Sequence, residues 1–346
     1  MAAAPAPAAD WNPQAAAVYL DSRQREWFAW PPANSQGTPC LSCHTGLTYL
    51  LARPALRRAL SESGPTEYET GLLNALRSRV MLKDAKELFP KSKGPAAVQH
   101  AGVEAILAAL LLANADASTG RFASETQQAF DRLWSLQTKD GPSKGAWDWF
   151  ALDLDPWETT DSVFFGASLA ALAVGTAPPS YQARPEVREG VAALTSYLRG
   201  AQSRQPLHNR ITLLWASTKL PAVLAKPDRH ALLEEIARKQ QADGGWSMES
   251  LGAFAVHPNA PAATPGSNSY ATAFTAFALR EAGVRVKDRS LKRALAWLRV
   301  HQDPRTGVWT ASSMNKRYDP GSNQIRFMQD AATAYATLAL LEPLRK

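Results

Sequence analysis

The only two cysteines of the chain stand three positions apart, with a histidine directly after the second: Cys40, Cys43 and His44, in the stretch PCLSCHTG at residues 39 to 46. Three chemistries share this spelling. Two thiols at this spacing can form thioether bonds to the vinyl groups of a haem while the adjacent histidine reaches the iron. They can instead close a redox disulfide, or supply part of a zinc site. A structural zinc site takes four Cys or His ligands, often as two separated pairs, and the sequence has no second cysteine pair. Cys43 and His44, as neighbours, would also both have to reach one ion. A redox dithiol opens a helix in a βαβ setting that this sequence lacks. One covalent haem c, tethered by Cys40 and Cys43 and ligated by His44, is the leading expectation; a disulfide is the second, and zinc or coincidence the remainder.

If a haem is held there, its sixth coordination position decides the chemistry. Met81, Met248, Met314, Met328, His100, His208, His230, His257 and His301 all carry a suitable donor atom, and sequence does not choose among them. A Met or His ligand implies electron transfer, whereas a water-filled position implies oxygen or peroxide chemistry. Around the motif, Trp27, Phe28 and Trp30 offer flat apolar faces, and GLTYLLARPALRRAL reads as a helix broken at Pro54. Those aromatics shield a haem face or anchor the N-terminal arm to the rest of the chain.

The remaining sequence is repetitive. In RALAWLRVHQDPRTGVW (293 to 309) an amphipathic helix is followed by Gln302, a turn, Gly307 and Trp309. Gln240, Gly244 and Trp246 recur at the same relative places, as do Gln137, Gly145 and Trp147 across a longer insertion. The stretch YLRGAQSRQ keeps Gln202 and lacks the Gly-x-Trp end. After each window comes an almost wholly apolar segment, as in DSVFFGASLAALAVG (161 to 175) and DAATAYATLALLEPL (330 to 344). A one-faced helix lines the outside and an all-round apolar helix must be buried. Their alternation predicts an all-α protein with two concentric layers of helices, an α/α toroid. Within the repeat, Gln is expected to satisfy orphan helix carbonyls, Gly to take a tight backbone conformation and Trp to pack on the next repeat. The expected organisation is a disordered tail over 1–15, an extension carrying the cysteine motif over 16–64, and the toroid over 65–346.

The 293 to 309 stretch, with Arg293-Ala294, Trp297-Leu298, Gln302 and Gly307-x-Trp309, resembles the QW motif of the squalene-hopene and oxidosqualene cyclases, and the other two windows match it in part. The resemblance covers roughly residues 65 to 346 and implies the terpenoid cyclase/protein prenyltransferase toroid. It is more specific for fold than for activity. The cysteine motif resembles cytochromes c over Cys40 to His44 alone. The cyclases protonate an alkene with the middle Asp of a D-x-D-D-T-A stretch at the start of an inner helix. Here ETTDSV places Glu158, Asp161 and Ser162 on the outer positions and Thr160 on that of the proton donor, and Thr is no such acid. The zinc-binding set of the prenyltransferases is also missing from the repeats.

Candidate catalytic residues are accordingly Glu104, Glu158 and Asp161. Glu104 lies inside an apolar helix, where an ionised carboxylate needs a partner, and His100 stands one turn before it. An acid/base pair, a neighbour to a haem propionate and a satisfied core pair remain open. Acids at the inner helix starts, Asp330 included, also serve as caps. Trp149, Trp157, Phe164, Phe165 and Tyr270, with Asp330, are expected to line a cavity for an apolar molecule of isoprenoid type, or else to pack the core.

Composition excludes several classes. The chain has 346 residues, 45% of them hydrophobic, ample for a large core. The net charge of +7 is scattered, with no basic run interleaved with aromatics, so nucleic acid is not an expected partner. The longest apolar run, AILAALLLA, is too short to span a bilayer. MAAAPAPAAD lacks the cationic start and apolar stretch of a signal peptide, and reads as the segment after one that has been removed; a disordered tail of a cytosolic protein is the alternative. The leading reading is thus a periplasmic or secreted c-type haem protein, a redox enzyme or electron-transfer protein with a redox partner and an apolar guest. A non-classical terpenoid cyclase using Glu158 or Asp161, a non-catalytic binding or assembly module, and, last, a carbohydrate-active enzyme are the rivals.

Overall fold

A computed structural model describes residues 11–35, 37–82, 88–254, 257, 259–261 and 265–341. The protein is all-α. Among the described residues, twelve helices of ten residues or more alternate between two kinds along the chain. The odd-numbered ones are α1 (Pro13–Ala29), α3 (Glu67–Val80), α5 (Ser124–Ser135), α7 (Pro185–Ala201), α9 (Lys226–Arg238) and α11 (Arg289–Val300). The even-numbered ones are α2 (Gly46–Ala59), α4 (Pro95–Ala117), α6 (Ser162–Thr176), α8 (Leu207–Ala216), α10 (Ser269–Glu281) and α12 (Phe327–Leu340). A two-stranded ribbon, β1 (Asn34–Ser35) with β2 (Thr38–Pro39), precedes the cysteine loop.

Helices α6, α8, α10 and α12 bury most of their residues and α4 its whole middle, 101–113, whereas the odd helices bury a single stripe, as the alternation of one-faced and all-round apolar segments predicts; α2 buries only part of its surface. Helix α4 is long and apolar enough to cross a membrane by length and composition, and 72% of its most apolar window lies inside the fold. Each even helix touches the next, α2 to α4 to α6 to α8 to α10 to α12, and α12 returns to α2. The stretch expected to be an extension, 16–64, therefore supplies α2 to this series and most of α1 to the odd one. Residues 1–10 of the expected tail lie outside the described residues. The rest is not a tail, because α1 starts at Pro13, with Asn12 capping it by accepting from Ala15 N at 3.0 Å.

The three Gln-Gly-Trp turns are built alike. Trp147, Trp246 and Trp309 donate Nε1–H to Leu133, Ile236 and Leu298, each among the last four carbonyls of the odd helix before it, at 2.6, 2.8 and 2.8 Å. The tryptophans, rather than the glutamines, thus satisfy the orphan carbonyls. The glutamines reach across instead: Gln137, Gln240 and Gln302 each donate to their own turn glycine carbonyl, and to Gly190 of α7, Ser290 of α11 and Asn12 before α1 respectively. Gly307 has φ +77°, and a Cβ there would come within 2.1 Å of the Ala15 backbone. The third Gln-Gly-Trp turn is in this way stapled to the start of α1, and Asn12 N returns a bond to Gln302 Oε1 at 2.6 Å.

Candidate functional site

A cavity of about 610 Å³ opens between the cysteine loop and the start of α4, within the size range of sites for cofactors and small ligands. Cys40, Cys43, His44, His100, Glu104 and Glu158 all contribute to its wall. The loop is fixed from several sides. Trp27 Nε1 donates to the Cys40 carbonyl at 2.8 Å, Cys40 N donates to Ala33 O at 2.7 Å, and Ser42 Oγ accepts from the Thr45 and Gly46 amides at the start of α2.

His44 is buried and stacks on Phe327, with ring centroids 3.7 Å apart and planes 18° from parallel. Its Nδ1 lies 2.9 Å from Thr45 Oγ1, and that hydroxyl donates to Asp330 Oδ2 at 2.8 Å. Asp330 also accepts from Arg23 Nε at 2.8 Å, Arg23 Nη2 at 3.1 Å and the Tyr19 hydroxyl at 2.7 Å. The single Thr45 proton is committed to the carboxylate, so the contact to His44 requires the imidazole to donate from Nδ1. Nε2 is left with a lone pair and has no hydrogen-bond partner among the described residues. Burial, reinforced by the Arg23 charge, pulls the His44 pKa down to about 3, so the ring is neutral. Burial pushes Asp330 up, while the guanidinium and the donating hydroxyls favour its charged form.

Cys40 and Cys43 are free thiols. Burial, with the Glu104 charge adding to it, pushes Cys40 up to about 11, and burial also raises Cys43 well above its ordinary value. Such thiols are poor nucleophiles, the opposite of a redox dithiol, whose reactive thiol is acidified. Among the described residues no group of three or more His, Cys, Asp or Glu is gathered for a metal ion, so no four-ligand zinc set is assembled around the loop.

The carboxylates separate. Glu104 is paired with Arg79, not with His100: Arg79 Nε and Nη2 reach its two oxygens at 2.6 and 3.2 Å, both side chains buried. It is a satisfied core pair touching the cavity rather than an acid/base couple. Burial raises Glu158 to about 7 in the same wall. Asp161 is exposed at the start of α6, makes no side-chain cap and takes no part in this wall.

The aromatics expected around a guest are core. Trp149, Phe164, Phe165 and Tyr270 are at most 3% exposed and Trp157 is 8%. Trp149 Nε1 donates to the Trp157 carbonyl at 2.7 Å, and Trp157 Nε1 donates to the Tyr270 hydroxyl at 2.9 Å. Phe165 packs on Trp149 and His208, while Phe164 faces Tyr197 of α7. Asp330 lies beneath His44 and not among an apolar guest's neighbours. Sequence reasoning missed Arg23, Thr45, Arg79 and Phe327. An acid inside each of two apolar helices, Glu104 and Asp330, was the available signal that a cation must come from elsewhere.

No family model matches the chain, and no curated protein matches it.

Proposed function

We propose that this chain is a c-type haem protein with an electron-transfer or redox role, built on an α/α toroid in which the even helices form the inner ring and the odd helices the outer. The observation that carries the reading is His44: its Nδ1–H is locked by Thr45 and Asp330 while its Nε2 lone pair is left free beside two thiols in one cavity. A ligating histidine is held in this manner, its second nitrogen donating to a carboxylate-backed partner that fixes tautomer and ring plane. Bound there, a haem supplies a one-electron iron couple. The protein's own part is to hold it by Cys40 and Cys43, orient His44 against Phe327, and exclude water with Trp27 and Leu41. Glu158, half-charged near neutral pH, takes up or releases a proton as the charge beside it changes. Covalent haem attachment belongs to an exported setting, so the reading includes a periplasmic or secreted location.

Cyclisation is not favoured by the same residues. Protonating an alkene needs an unusually strong acid, and burial makes Glu158 a weaker one. The filled aromatic centre likewise supports the rim cavity, and not the middle of the ring, as the place of chemistry.

The test is expression of the full chain with haem-maturation machinery. One haem's added mass, resistant to acid extraction, and a sharp reduced α-band are expected, and both vanish in Cys40→Ala/Cys43→Ala. An unmodified mass under those conditions sinks the proposal.

A further inference from the structure

We propose that His100 is the second axial ligand of the haem, so that the iron is held between His44 and His100. This rests on the haem reading above and goes on to fix the sixth ligand, which the sequence leaves open. Of the nine candidate donors, His100 is the one on the cavity wall. Met81 points outward, 58% exposed, and Met248 and Met328 are buried in the core away from the wall. His208 has both ring nitrogens engaged, Nδ1 with Asn209 and Nε2 with the Tyr270 hydroxyl. His230 stands out on α9, and His301 is stacked on Trp297.

The chemistry of the ring points the same way. His100 Nδ1 lies 2.7 Å from the Ala96 carbonyl, one turn earlier in α4. A carbonyl only accepts, so Nδ1 carries the proton and the lone pair of the neutral ring is on Nε2. That nitrogen has no hydrogen-bond partner among the described residues. Phe89, at a centroid distance of 4.6 Å, and the edge-on ring of Phe150, at 4.8 Å, hold the imidazole plane. His100 therefore repeats what is seen at His44: Nδ1 is committed to the protein, Nε2 has no partner among the described residues, and the ring belongs to the wall of the same cavity. Ligation donates the Nε2 lone pair to iron, and no proton or electron is transferred. Its neighbour one turn on, Glu104, is neutralised by Arg79 and does not compete for the ring.

The full-length haem-loaded protein is compared with His100→Ala and with His301→Ala as a control. His100 is half-buried in a helix that alanine continues, so His100→Ala folds and carries its haem. The wild type is expected to be low-spin in the ferric state by electron paramagnetic resonance, with no near-infrared band of methionine ligation. In His100→Ala that low-spin signal is replaced almost completely by a high-spin one, and added imidazole restores it. His301→Ala leaves the spectrum unchanged. A wild type already high-spin with its haem attached, a methionine band, or a His100→Ala protein that stays low-spin overturns the assignment while leaving the haem reading intact. A wild-type chain that acquires no haem overturns both.

Discussion

Two buried histidines separate structure from site. His208 and His44 both sit among aromatic rings at or just before the start of an even-numbered helix, and burial pulls both pKa values down, to about 4 and about 3. At His208 every polar atom is answered. Trp157 donates to the Tyr270 hydroxyl, Tyr270 donates to Nε2, and Nδ1 donates to Asn209 Oδ1. At His44 the donors run outward from Nδ1 through Thr45 to Asp330, which also accepts from Arg23, and Nε2 of this cavity-wall residue has no partner among the described residues. Burial and depressed basicity are common to the two, so neither marks a functional histidine. What separates them is the unanswered nitrogen.

Four changes would break or sharpen that contrast. The largest is Asp330→Asn, which strips the bidentate carboxylate from buried Arg23, leaving it Glu26 alone as a charge partner, and weakens the anchor of Thr45; a loss of about 3 kcal/mol is expected in denaturant unfolding of the haem-free protein. His208→Ala leaves Tyr270 and Asn209 short of a partner in the core, and is expected to cost about 2–4 kcal/mol. His44→Ala, measured alongside, should cost clearly less in the haem-free protein; if it costs more, the contrast fails. Thr45→Val removes one hydroxyl between His44 and Asp330 and is expected to cost about 1–2 kcal/mol.

The smallest change is in pH dependence. Glu158 is raised above its unfolded value, so its neutral form stabilises the fold fully below about pH 4.5, and that contribution is lost as pH rises through about 7. The wild type should therefore lose stability relative to Glu158→Gln across that window, by on the order of 1 kcal/mol given the partial exposure of the group. A difference that stays flat from pH 4 to 8 would remove Glu158 from the proton-handling role.

The alternation of helices and the three Gln-Gly-Trp turns were legible because periodicity and Gly-x-Trp spacing are sequence properties. The role of α1 was not. It carries no such turn, and what ties its start to Gln302 is the main chain of Asn12, which no side chain advertises. The cysteine loop was legible as a motif, yet its support comes from Arg23 and Asp330, 307 residues apart. Glu104 illustrates the same limit: spacing suggested His100, and a guanidinium from α3 won because a buried carboxylate gains more from a bidentate cation. All-round apolar character marked the even helices without saying which rings meet each other and which meet a cavity.

The stacking of His44 on Phe327 and its tie to Asp330 also make the wall behind the cysteine loop a product of distant parts of the chain. Both partners lie in α12, and Thr45 and Asp330 are 285 residues apart, so that wall does not exist until α12 has packed against α1 and α2. A substitution that loosens α12 would therefore free the His44 ring as surely as one beside the cysteines.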